Sequence, residues 1–274
     1  MFCEKIDLYK YFGLKRKGGE EGYLNAYLPE APDYPTRVRP AMLVIAGGGY
    51  AFVSPREKEC VALAYVSQGF AAFTLEYSIA PVRFPAQLIE GAMALAYIRE
   101  NAEKYAIKPD KVAAVGFSAG GHLTGMLGTL FDRAEVKAAL KEKAALVRPD
   151  AIILSYPVIT CGDKAHKGSF DNLCGENNLK LQKELSLENC VKPNASPAFI
   201  WTTADDNCVP SENSLSIALA YKAAGVPFEL HIFESGVHGL SLATEETGGV
   251  NEPVQKWLSL SFTWLKNRGF VLSD

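Results

Sequence analysis

The stretch KVAAVGFSAGGHLTGMLGTLF, Lys111 to Phe131, decides the fold. Lys111 to Phe117 is a short apolar run rich in valine and alanine, the pattern of a strand covered on both faces. Ala119 to Phe131 reads as a helix. Between them stands Ser118, framed by Gly116 and Gly120 as Gly-x-Ser-x-Gly. Strand, tight turn and helix are the setting in which a serine hydroxyl is pushed out on a strained elbow. A side chain at 116 or 120 would collide with neighbouring backbone there, and glycine avoids it. The N-terminus of the following helix favours developing negative charge, and the Ala119 amide is one donor to it. The five letters alone are a modest signal, because a glycine-rich turn with an N-cap serine has the same spelling. The surroundings must decide.

Outward from this segment, short apolar runs alternate with helical patterns. AMLVIAG (Ala41 to Gly47) and AAFTLEY (Ala71 to Tyr77) precede it as strands. AIILSYPV, AFIWTTA and FELHIFE follow it as strands. Arg56 to Gly69, Ala86 to Tyr105, SENSLSIALAYKAAG and VNEPVQKWLSLSFTWLKNR carry helical spacing; Leu88, Ala92, Leu95 and Ile98 share one side of the second. The alternation predicts a single α/β domain with a mostly parallel sheet and helices on both faces. Thr160 to Pro197 breaks the pattern. It is polar, rich in Asn and Lys and weakly periodic, and reads either as a cap over a site or as a surface excursion.

Composition narrows the function. The chain has 274 residues, 48% hydrophobic and 22% charged, which is ordinary globular usage and argues against disorder. Lys plus Arg is 28 against 31 for Asp plus Glu, a net of −3, with no basic excess for a phosphate backbone. The N-terminal stretch does not read as a secretory signal, and no apolar run is long enough to span a bilayer. Cys3, Cys60, Cys161, Cys174, Cys190 and Cys208 form no CxxC pair and match no metal-site spacing, so reduced thiols in the cytoplasm are expected, with no metal and no cofactor.

A hydroxyl nucleophile needs a base. His122 lies four residues after Ser118 inside the helix, where packing or capping suits it better. His231 sits inside a strand, and His166 in the irregular stretch. His238, in the glycine-flanked loop SGVHGL after the last strand, lies where α/β sites gather and is the expected base. An acid must hold the imidazole tautomer, and in this arrangement it falls between serine and histidine in the chain. TADDNCVP follows a strand and supplies Asp205 and Asp206. Asp206 is preferred, with Asp205 left to hold the loop by turn-type hydrogen bonds. AGGGY ends the strand Ala41 to Gly47, and its glycines let backbone amides face a ligand. Gly48 and Gly49 are expected to join Ala119 as oxyanion donors. No Lys-Ser/Thr follows, which speaks against a phosphate loop.

Together these residues resemble the α/β-hydrolase superfamily, and within it the esterase branch of acetyl-xylan and feruloyl-type esterases related to hormone-sensitive-lipase-like enzymes. AGGGY resembles the His-Gly-Gly-Gly loop, LEYSIAP the segment after the next strand, VGFSAGGHL the nucleophile elbow, and TADDNCVP and GVHGL the acid and histidine loops. Ala46, Phe117 and Ser78 depart from the lipase-like branch and favour the sugar-esterase or oligopeptidase-like side. The resemblance implies hydrolysis of short acyl esters, acetyl esters of sugars or xylo-oligosaccharides foremost. Amide hydrolysis of a formamidase or peptidase kind, and a non-catalytic binding role, are the alternatives. Tyr50, Tyr77 and Phe84 are candidates to line the acyl or sugar pocket, with simple packing at strand ends the alternative. The expected partner is a small-molecule ester rather than nucleic acid or a membrane, and a homodimer is compatible with the reading.

Overall fold

The computed structural model describes residues 1–29 and 37–272. Among the described residues eight strands form one sheet: β1 (Phe2–Asp7), β2 (Tyr23–Leu28), β3 (Arg39–Ile45), β4 (Ala71–Glu76), β5 (Ile107–Phe117), β6 (Ala151–Ser155), β7 (Ala198–Thr203) and β8 (Phe228–Phe233), in the spatial order β1-β2-β4-β3-β5-β6-β7-β8. From β3 to β8 every pairing is parallel. β1 and β2 add an antiparallel edge that the sequence reading did not include.

The helices are α1 (Leu8–Phe12), α2 (Glu59–Ser67), α3 (Ala86–Glu100), α4 (Ala119–Thr129), α5 (Ala134–Leu140), α6 (Lys167–Cys174), α7 (Leu179–Glu184), α8 (Glu212–Ala224) and α9 (Glu252–Lys266). Strand side chains alternate between faces, so the sheet carries two cores. Leu43, Ile45, Ala114, Ile152 and Leu154 point to the side of α3 and α4, whereas Met42, Val44, Val115 and Ile153 point to the side of α2 and α9. On the second side Trp201 and Trp257 stack at 5.1 Å, both fully buried. Covering both faces accounts for the unbroken apolar runs of β3, β5 and β6.

The chain leaves β3 for β4 on one side, then returns past β3 to β5 on the other. This reversal opens a crevice at the C-terminal ends of β3 and β5, where the glycine loop and Ser118 face each other, as the switch-point rule requires. Thr160 to Pro197 is better ordered than its sequence suggests. It holds α6, α7 and a 3-10 turn at Leu187–Asn189, and Phe170, Leu173 and Leu187 are buried in the core on the α4 side. Helices of eight and six residues are too short to display a clear period. No helix among the described residues is long and apolar enough to cross a membrane.

Candidate active site

Ser118 follows β5 with φ 53° and ψ −119°, a left-handed conformation that non-glycine residues rarely adopt. Its own amide donates to Ser155 O at 3.0 Å, and its carbonyl accepts from Val158 N at 3.1 Å, so the turn is tied to the end of β6. The flanking glycines are required by contact. A Cβ at Gly116 would lie 2.2 Å from Gly120 O, and one at Gly120 would lie 2.2 Å from Ile45 O.

The structure brings Ser118, His238 and Asp206 together from three loops. Ser118 Oγ lies 2.8 Å from His238 Nε2, and His238 Nδ1 lies 2.7 Å from Asp206 Oδ2. A carboxylate oxygen can only accept here, so the ring proton belongs on Nδ1 and the Nε2 lone pair faces the serine hydroxyl. Asp206 is buried, and its other oxygen accepts from the amides of Cys208 and Val209, each at 2.9 Å. Asp205 points elsewhere: its Oδ1 accepts from Gly236 N at 2.7 Å and braces the loop that carries His238.

The glycine loop divides its labour. The Gly47 amide donates inward to Glu57 Oε2 at 2.7 Å. The amides of Gly48, Gly49 and Ala119 meet no acceptor among the described residues. Gly48 and Gly49 line a cavity of about 300 Å³ together with Ser118 and His238. Gly48 has φ +122°, and a Cβ there would meet Phe52 O at 2.2 Å. Both facts demand glycine. Asn172 Nδ2, from α6, donates to Gly49 O at 2.9 Å, so the Thr160 to Pro197 stretch holds this loop from the far side.

Three aromatic placements expected at the substrate are corrected. Tyr50 and Tyr77 are buried and face the α4-side core rather than the cavity. Tyr50 Oη bonds His122 Nδ1 at 2.9 Å, and Tyr77 Oη donates to Ala46 O at 2.8 Å, fixing the strand end that leads into the glycine loop. Phe84 lies under the Arg133 guanidinium, outside the cavity. Each sits where strand or loop alternation turns it to the core, a direction that residue type alone does not specify.

The cavity wall instead includes Phe52, Arg56, Glu57, His166, Asn172 and Cys208, none of which was picked out for it from the sequence. His166 is half-buried. Its Nδ1 lies 2.8 Å from Ser169 Oγ, and burial together with the nearby His238 lowers its pKa. Of the other histidines, His122 is packed in the core, and His231 on the edge strand β8 pairs with Glu229 at 2.7 Å. Only an acidic residue shortly after the glycine loop hinted at Glu57. Nothing local marked His166 or Asn172, which reach the site from the next crossover. All six cysteines are unpaired. Among the described residues, no group of three or more His, Cys, Asp or Glu side chains is placed to hold a metal ion.

The chain is similar to several known proteins. Residues 24–221 match the BD-FAE family. Endo-1,4-beta-xylanase B of Butyrivibrio fibrisolvens is 42% identical over 216 residues, covering 76% of this chain and 33% of that protein. Acetylxylan esterase of Xylanibacter ruminicola is 29% identical over 242 residues, covering 86% of this chain and 47% of that protein. The chain thus spans a third to about half the length of these two relatives. The crystal structure of an acetyl ester-xyloside bifunctional hydrolase from Caldicellulosiruptor lactoaceticus superposes with a TM-score of 0.82 at 39% identity, over 91% of this chain and 89% of that one. With nearly three quarters of its length matched by the family and an α/β-hydrolase architecture throughout, this chain belongs to the BD-FAE family.

Proposed function

We propose that this protein is a serine carboxylesterase that removes short acyl groups, acetyl foremost, from sugars or xylo-oligosaccharides. The observation that carries the reading is the unbroken chain from Asp206 through His238 to Ser118 Oγ, 2.7 and 2.8 Å, ending in a cavity lined by Gly48 and Gly49. His238 Nε2 takes the serine proton as Oγ attacks the ester carbon. The amides of Gly48, Gly49 and Ala119 receive the oxyanion, each donor worth about 10²- to 10³-fold in rate. The imidazolium, held by Asp206, returns its proton to the leaving alcohol. Water, activated by the same nitrogen, then releases the acid from the acyl-enzyme. Every step uses this chain's own residues. A cavity of about 300 Å³ is at the small end for ligand sites and suits a short acyl group better than a long chain. The names of the relatives, an acetylxylan esterase and an acetyl ester-xyloside hydrolase, support the sugar-ester class.

The test is a hydrolysis panel: acetyl, butyryl and feruloyl aryl esters, an acetylated xylo-oligosaccharide, a formanilide and an aryl xyloside, with Ser118→Ala as control. Preference for acetyl esters, abolished in the control, is expected. Faster cleavage of the formanilide would replace the ester reading with amide hydrolysis. A folded wild type whose Ser118 fails to react with a fluorophosphonate would point to a binding role.

A further inference from the structure

The proposed chemistry leaves unused a buried carboxyl group that sits beside the site. Glu57, in the 3-10 turn Pro55–Glu57 after the glycine loop, is 3% exposed. Its Oε2 accepts from the Gly47 amide at 2.7 Å, and its Oε1 accepts from Tyr156 Oη at 2.7 Å. Tyr156 Oη in turn accepts from Ser241 N at 2.9 Å, and the Tyr156 ring meets His238 edge-on with centroids 5.0 Å apart. Ser241 Oγ donates to Arg56 O at 2.6 Å, which closes the loop onto the same 3-10 turn. A Cβ at Gly47 would stand 2.9 Å from Glu57 Oε2 and 2.9 Å from Ser118 Cβ, so carboxylate, glycine loop and nucleophile are packed without spare room.

Burying a carboxylate is costly, and a well-packed apolar side chain would serve stability as well or better. Burial pushes the Glu57 pKa up, while Tyr156, Gly47 and the nearby His238 pull it down. What the carboxylate does that an apolar group cannot is accept from two donors on different loops at once. We propose that Glu57 is a positioning residue, fixing the oxyanion loop through the Gly47 amide and the His238 loop through the Tyr156 hydroxyl. It holds donors and base at one separation while Ser118 reacts. For its ester readout this role rests on the esterase reading. Its readout through the reactivity of Ser118 does not.

Glu57→Gln keeps the side-chain volume but turns an NH₂ group toward one of the two donors. The kcat for an aryl acetate is expected to fall about 10²-fold with KM changed by less than about threefold. The thermal midpoint should stay within a few degrees of wild type. Affinity for a trifluoromethyl ketone, which forms a tetrahedral adduct on Ser118, should fall in step with kcat. Tyr156→Phe spares the Gly47 contact and should lower kcat about tenfold. Fluorophosphonate labelling of Ser118 is timed on the same proteins. If wild type labels but cleaves no ester, the esterase reading fails, and the labelling rates, expected to drop in both variants, decide the Glu57 proposal. If wild type neither labels nor cleaves, both fail. A folded Glu57→Gln with kcat and labelling within about threefold of wild type overturns the proposal, as does a loss confined to KM. If Glu57→Gln does not fold by circular dichroism, Tyr156→Phe decides alone, and unchanged rates there overturn the proposal.

Discussion

Two tyrosine–histidine contacts lie beside the Ser118 elbow. On one side Tyr50 Oη meets His122 Nδ1 at 2.9 Å, and His122 Nε2 meets Leu185 O at 2.8 Å. On the other side Tyr156 packs against His238, whose nitrogens meet Asp206 and Ser118. Both rings have both nitrogens engaged. The partners differ in kind. Leu185 O requires a proton on His122 Nε2, which leaves Nδ1 to accept from Tyr50, and the whole arrangement is closed off and neutral. Burial pushes the His122 pKa down to about 4. His238 has a carboxylate behind it and a cavity in front of it, the placement that a general base requires. An imidazole becomes a base or a brace according to which acceptor it faces and whether it is open to ligand.

Exchanging each ring for an amide breaks this comparison most sharply. His238→Gln is expected to lower kcat on an aryl acetate by about 10⁴-fold or more, while His122→Gln costs less than about tenfold. Comparable losses would mean that the two sides share one role. The acids give the next contrast: Asp206→Asn should lower kcat about 10³- to 10⁴-fold by favouring the wrong tautomer. Asp205→Asn, which loosens only the Gly236 contact, should cost less than about tenfold, read in the same assay.

Stability against pH sharpens the comparison further. The folded pKa of His122, about 4, lies below the ordinary 6.5. Between the two the unfolded chain holds the proton and the folded chain does not. Stability from this group is therefore complete above pH 6.5 and declines as pH falls to about 4, by about 3 kcal/mol in all. Glu90, raised by burial to about 7 from 4.5, acts the other way: its folded form keeps the proton longer, so its contribution grows as pH falls from about 7 to 4.5. The difference between urea melts of wild type and His122→Gln, taken from pH 7 to pH 4, isolates the histidine. A difference that does not change with pH would show that the ring is protonated in place. The smallest effect is expected from Tyr50→Phe, about 1 kcal/mol of stability with KM unchanged. A raised KM would return Tyr50 to the substrate.

Legibility followed the range of the interaction. The elbow could be read because strand, serine, flanking glycines and helix are neighbours in the chain; the backbone clash that demands Gly116 arises within the turn, at Gly120 O, whereas the one that demands Gly120 comes from Ile45 O and Ala46 O at the end of β3. His238 and Asp206 were legible from chain order and from their loops after β8 and β7. Tyr50, Tyr77 and Phe84 were misplaced because a residue just past a strand or in the loop that follows can turn either to the core or to the cavity, and only the packed core chooses. The antiparallel β1 and β2 were not legible: β2 alternates in burial but β1 is mostly exposed, and pairing with each other and with β4 is what holds them as strands.

The amino-acid sequence by itself determined the α/β alternation, the serine turn and the order in which Ser118, Asp206 and His238 arrive. These depend on periodicity and on local backbone sterics. Tertiary structure alone decided that Glu57, Tyr156, His166 and Asn172 meet around that serine. The Glu57–Tyr156 and Asn172–Gly49 contacts span 99 and 123 residues, and each depends on which strand comes to lie beside which.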